Sequence, residues 1–164
     1  MSYLKVAIFG NGTGWHNGAM VGSPDFIGDL KVVKGKTDTG FFAPMAAGVV
    51  ATLEHYQEGI AQYRAMYHSR LQLHIELLTR HGMQLALEPV AGFFTLWRIP
   101  SRAFGKKVES AQHFNFMMIE ETGVVGVHFP GYVRYAVCAD IAAVAQEIAA
   151  AFKKAQVSYG EHVA

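Results

Sequence analysis

The chain has 164 residues, of which 51% are hydrophobic and 16% charged, and its formal net charge is +1. That length and composition fit one globular domain with a sizeable core and leave no room for a second full one. The near-neutral charge gives no electrostatic basis for binding nucleic acid or an anionic membrane.

The chain opens with a β-branched run, Val6 to Phe9, that breaks into a loop with glycines at 10, 12, 14, 18 and 22. A dinucleotide-binding turn would need G-x-G-x-x-G opening a helix. Counted from Gly10 the third glycine falls on Trp15, and counted from Gly12 it falls on Asn17, so the fingerprint is absent. No phosphate-binding G-x-x-x-x-G-K-[ST] occurs either. Ser23-Pro24 then has the chemistry of a helix start, with serine as cap and proline at the first helical position. A Gly/Thr/Asp cluster around residues 35–40 reads as loop.

From Pro44 the sequence turns helical. Tyr56, Ile60, Tyr63, Tyr67, Leu71, His74 and Leu78 recur at spacings of four and three, which predicts one long helix over about 56–81. Gly82 stands where a left-handed stop is expected, and Gly59 could mark a bend. The segments "MQLALEP" and "GFFTLWRIP" read as strands, Val108 to Thr122 as a helix closed by Gly123, and "VVGVHF" and "YVRYAVC" as short strands around Pro130-Gly131. Along the last of these, Tyr132, Arg134 and Ala136 should share one face and Val133, Tyr135 and Val137 the other. Asp140 can cap a final helix with an apolar stripe of Ile141, Val144, Ile148, Phe152 and Ala155. A small sheet flanked by helices makes the expected fold class α/β, or α+β.

Few constellations suggest chemistry. The eight histidines include no H-E-x-x-H, and His68, His74 and His81 lack the spacing of four that brings two ligands together, so no metal site is expected. There is no G-x-S-x-G nucleophile elbow. The tyrosines from Tyr56 to Tyr67 read as packing, within the chain or across an interface. Cys138 is the single cysteine, in keeping with a reducing compartment. The apolar stretch at the N-terminus is too short for a signal peptide, and no window approaches the roughly 20 apolar residues of a membrane helix. A cytoplasmic location is expected. The low charge together with 12% aromatic residues leaves apolar surface to cover, which favours a homo-oligomer such as a dimer.

Four blocks carry a resemblance. "NGTGWHNGAMVGSPDFI" is similar to the segment that follows the Schiff-base lysine of class I/II (fold-type I) aminotransferases, with Asn11, Gly14, Trp15, Gly18, Val21 and Gly22 in register. "KGKTDTGFFAPMAAGVVATLE", "EPVAGFFTLWRIP" and "GYVRYAVCAD" resemble, in the same order, that family's entry to a helix, its G-x-F-x-L-W strand and its terminal Y-V-R strand. The resemblance covers about residues 7–155 and corresponds to the C-terminal portion of the family's chain. It implies that residues 1–43 match the end of the cofactor-binding domain and 44–164 the small domain. It also implies amino-group transfer from an amino acid to a 2-oxo acid with pyridoxal phosphate.

Residue by residue, Arg134 falls on the arginine that grips the substrate carboxylate, and Asn11 and His16 fall on cofactor-binding positions. The catalytic lysine falls on Ile8, which can form no aldimine. Lys5 is the nearest amine and could serve only with a three-residue displacement. The groups that stack on and cradle the cofactor belong to a large domain that has no counterpart in this sequence. The chain alone is therefore expected to be inactive, and a separate large-domain partner is one way to complete it. Two other readings stay open: a catalytically silent module that self-associates or caps a partner, and a small-carboxylate binder that uses Arg134.

Overall fold

In a computed structural model the described residues are 2–5, 18–37 and 43–160, and they form eight strands and five helices. The chain divides into two compact units, Met1–Arg64 and Ala65–Ala164.

In the first unit, β1 (Ser2–Lys5) pairs antiparallel with β2 (Gly18–Val21). The β-branched run expected as a strand at residues 6–9 lies outside the described residues. Helix α1 (Pro24–Thr37) begins at the predicted proline, and α2 (Ala43–His55) follows. Neither contributes a buried residue. The long helical run is broken once, at Tyr56, before α3 (Gln57–Arg80). The break is not at Gly59. That glycine makes room for the Tyr56 ring, which lies where a β-carbon at position 59 would stand.

The second unit takes over α3 at Ala65. This helix ends as expected at Gly82, which has φ +88° and donates to the Thr79 carbonyl at 3.0 Å. A four-stranded sheet follows in the order β3 (Leu85–Leu87), β4 (Phe94–Arg98), β8 (Tyr132–Ala136), β7 (Val127–Phe129), with every pair antiparallel. This is the small sheet flanked by helices that the sequence predicts for the fold class. Between β4 and β7 come the hairpin β5 (Arg102–Ala103) and β6 (Lys106–Lys107), and then α4 (Ala111–Thr122). The last helix is α5 (Ala145–Ala155).

Alternation along the strands separates two faces. Thr95 and Trp97 of β4 and Val133 and Tyr135 of β8 are buried, and they pack with Leu78 of α3, Phe114 and Met118 of α4 and Phe152 of α5. Each fully buried large apolar side chain in this layer contributes about 1.5–3 kcal/mol. All three helices cover that face. The opposite face carries Phe94, Leu96, Arg134 and Phe129, each half-buried or exposed.

Helix α4 starts three residues later than the sequence suggests. The Ser110 hydroxyl accepts the His113 N–H at 3.1 Å and so fixes the N-terminus, while Gly123 at φ +75° closes the other end. Asp140 is not the cap of the last helix. Its Oδ1 accepts the amides of Ala142 and Ala143 in a preceding turn, and α5 starts at Ala145. The expected stripe survives across turn and helix, with Ile141, Phe152 and Ala155 buried.

Candidate carboxylate-binding groove

The open face of the sheet forms the floor of a groove of about 470 Å³, walled by the segment from Leu87 to Ala91. Arg134 lies in this floor on β8, the strand hydrogen-bonded on both sides, with Leu96 opposite it on β4 and Val127 opposite it on β7. A guanidinium on an apolar strand needs compensation. Among the described residues no carboxylate lies within ion-pair distance of it: Glu121 is paired with Lys154 at 2.9 Å, and Asp140 caps its own turn. Two aromatic rings take that place. The guanidinium carbon lies 4.1 Å from the Phe94 ring centre and 5.3 Å from that of Phe129. Cation–π attraction holds the charge without consuming the in-plane N–H donors, so these stay free for an anion.

Directly behind the groove, on the packed face, lies a buried polar cluster. Trp97 Nε1 donates to the Thr95 hydroxyl at 2.8 Å, and that hydroxyl is 3.2 Å from His74 Nδ1. With the indole N–H on one lone pair, the hydroxyl keeps a proton and a second lone pair for Nδ1, so it serves either neutral tautomer of the imidazole. Burial holds the His74 pKa down at about 4, so the ring is neutral near pH 7. Tyr135, on the same face, has its hydroxyl pushed up by burial, and among the described residues that hydroxyl has no hydrogen-bond partner. The β7 end is fixed by a reciprocal pair: Asn115 Nδ2 donates to the Gly126 carbonyl, and Gly126 N–H donates to Asn115 Oδ1, both at 3.0 Å.

Of the residues singled out from sequence, Arg134 has a described setting. Lys5 lies in β1, its backbone opposite Gly18. Ile8, Asn11 and His16 lie outside the described residues. Among the described residues there is no group of three metal-capable side chains, and no helix is long and apolar enough to cross a membrane. Tyr67 packs on Phe93 with ring centres 5.7 Å apart, whereas Tyr56 and Tyr63 are exposed. Sequence reasoning missed Phe94 and Phe129 as partners of Arg134. The signal available was alternation, but the register that makes both of them diagonal neighbours of Arg134 appears only once the strands pair.

No family model matches the chain. It is 30% identical over 133 residues to an LL-diaminopimelate aminotransferase of Natranaerobius thermophilus, which covers 77% of this chain and 33% of the relative. It is 29% identical over 137 residues to the protein of the same name from Syntrophobacter fumaroxidans, covering 79% of this chain and 34% of that one. The chain thus spans about a third of the length of the curated relatives it matches. Among solved structures, substrate-bound BacF of Bacillus subtilis superposes with a TM-score of 0.81 at 17% identity, over 98% of this chain and 41% of that one. A probable N-succinyldiaminopimelate aminotransferase of Thermus thermophilus superposes with a TM-score of 0.76 at 22% identity, over 94% and 40%. In sequence and in fold the chain is similar to the C-terminal portion of class I/II, fold-type I aminotransferases.

Proposed function

We propose that this chain supplies the carboxylate-gripping part of an aminotransferase-like protein, and that Arg134 is the residue that grips. The observation that carries the reading is a half-buried guanidinium in a groove, with no protein carboxylate within ion-pair distance of it among the described residues. Its fork of donors suits a bidentate carboxylate pair, the common feature of amino acids and 2-oxo acids. Residues 1–43 then correspond to the end of a cofactor-binding domain and 44–164 to a small domain, in a cytoplasmic protein that works as a homo-oligomer or with a large-domain partner.

The chain's own donor set does not fit pyridoxal phosphate. The position that resembles the Schiff-base lysine is Ile8, which has no amine, and the position of the phosphate-holding arginine is His16. The groove offers one cation, Arg134, beside one carboxylate, Glu88. In this reading, amino-group transfer needs groups that these 164 residues do not supply, and the chain alone binds a carboxylate without turning it over. Asn11 and His16 would at most flank a cofactor held from elsewhere, and Lys5 is the one amine near that loop in sequence.

The test is a titration of the purified chain with pyridoxal phosphate, followed by borohydride trapping and peptide mapping, alongside carboxylate binding to wild type and Arg134→Gln. The reading expects no stoichiometric adduct. It also expects Arg134→Gln to weaken carboxylate binding by about tenfold or more, the worth of a charge-assisted hydrogen bond. Stoichiometric trapping at Lys5 would overturn the cofactor part, and unchanged carboxylate binding in the variant would overturn the role of Arg134.

A further inference from the structure

Two features of the groove remain unused by a plain carboxylate grip: the rings against Arg134, and the near absence of other charge. Phe94 comes from β4 and Phe129 from β7, the two strands that flank β8. Phe94 pairs in register with Ala136, and Phe129 with Tyr132, so each ring is diagonal to Arg134 and they approach from opposite ends of the strand. Both phenylalanines are exposed, at 39% and 40%. They are therefore not core residues that happen to touch the arginine. Most of the remaining wall is apolar, from Leu87, Pro89, Val90 and Leu96, and Tyr132 completes it. Arg134 is the one cation among the lining residues, and Glu88 is the one other formal charge.

We infer that Phe94 and Phe129 are positioning residues that hold the Arg134 guanidinium edge-on to the groove, and that the groove selects monocarboxylates bearing an apolar substituent over dicarboxylates. This rests on Arg134 being the carboxylate grip. Two rings packed within 4.1 and 5.3 Å of the guanidinium carbon restrict its movement and offer its N–H groups no oxygen acceptor, so the donors remain for the ligand. Once one carboxylate is on those donors, a second would meet largely apolar wall, Glu88 and at most the neutral hydroxyl of Tyr132, with no cation to receive it, which costs its desolvation. An aromatic or branched-aliphatic tail meets the same wall favourably.

The full chain, without cofactor, is titrated calorimetrically with 3-phenylpropionate and with succinate, for wild type, Phe94→Leu, Phe129→Leu, the two Tyr variants and Arg134→Gln. Phenylpropionate should bind wild type about tenfold more tightly than succinate. Each Leu variant should lose about 3- to 10-fold, the worth of one cation–π contact, and each Tyr variant should recover it. A readout that a merely structural role would not move is the Arg134 side-chain N–H resonance, which the rings should shift upfield in wild type and not in Phe94→Leu. Leu variants that bind as wild type, while Arg134→Gln does not bind, would overturn the positioning role and spare the grip. Succinate binding as tightly as phenylpropionate would overturn the selectivity. Arg134→Gln binding as wild type, or a wild type that binds neither probe, would overturn the grip and the inference with it.

Discussion

Mild acid should destabilise the second unit through one side chain, His74. The ring is 4% exposed and its pKa is held at about 4 by burial, against about 6.5 in an unfolded chain. Below pH 6.5 the unfolded state takes a proton at position 74 that the folded state refuses. Stability from this group is therefore complete above about pH 6.5 and falls as the pH drops towards 4. Each tenfold change in proton affinity is worth about 1.4 kcal/mol, so the full loss is about 3 kcal/mol. The geometry explains why the fold cannot relax around the charge. Protonation would put a full charge on a buried ring that has no carboxylate within ion-pair distance among the described residues, with only the neutral Thr95 hydroxyl at Nδ1 to receive it. The assay is urea unfolding at pH 7.5, 6, 5 and 4, followed by Trp97 fluorescence in a Trp15→Phe background. Wild type is compared with His74→Leu, which keeps the Trp97–Thr95 bond and cannot titrate. Acid effects elsewhere act on both proteins and cancel in the difference. Between pH 7.5 and 4 the wild-type midpoint should fall by about 1–3 M more than the variant's, at urea slopes of about 1–3 kcal/mol/M. Parallel midpoints across that range would refute the assignment of a buried, neutral His74.

Tyr135→Phe should leave the protein as stable or raise its stability by about 1 kcal/mol. It removes a buried hydroxyl with no partner among the described residues and keeps the ring that packs edge-on to Phe152; a loss above 1 kcal/mol by thermal unfolding would show that the hydroxyl is bonded. Gly126→Ala should cost about 1–3 kcal/mol, because a β-carbon there would stand 2.7 Å from Val133 Cγ2, 2.8 Å from Tyr135 Cε1 and 2.9 Å from Asn115 Oδ1. The same melts measure it, and an unchanged midpoint would contradict the close approach. Hydrogen exchange should be much faster in α1 and α2, which bury no residue, than in α4, which buries five. Equal protection that appears only as protein concentration rises would identify self-association as what covers those two helices.

The parts of the fold that a sequence displays well are those set by local periodicity. The four-three spacing from Ile60 to Leu78 shows in α3, and the alternation of Tyr132, Arg134 and Ala136 with Val133, Tyr135 and Val137 shows in the burial along β8 and its end. Gly82 and Gly123 marked helix ends because a left-handed residue is needed there. What escaped was set by tertiary contact. The β5–β6 hairpin turns through Phe104 at φ +51° and Gly105 at φ +72°. Turn chemistry does not favour phenylalanine at positive φ; here its ring packs against the core and its N–H donates to the Ala155 carbonyl. The break at Tyr56 carries neither glycine nor proline. His74 read as one more member of an apolar stripe because Thr95, its partner, lies 21 residues away. Arg134 could be singled out in the sequence, but its two rings could not, since strand order places β7 beside β8 and β8 beside β4.

That strand order also separates what holds the unit together from what it can bind. On β8 successive residues alternate between the two tasks: Val133 and Tyr135 pack beneath the helices, while Tyr132 and Arg134 face the groove. On β4 Thr95 and Trp97 are buried, and Phe94 and Leu96 line the groove. A substitution on the groove face therefore removes little buried apolar contact, whereas one on the packed face creates a cavity or strands a polar group. Losing the groove chemistry need not cost the fold. A well-packed sheet in this protein is thus no evidence of activity. What argues for retained binding is on the other face, where a guanidinium is kept half-buried among aromatic rings with no protein carboxylate among the described residues to neutralise it. Stability alone would favour an apolar residue at that position, since ring faces offset only part of the desolvation of a half-buried charge that has no counter-ion.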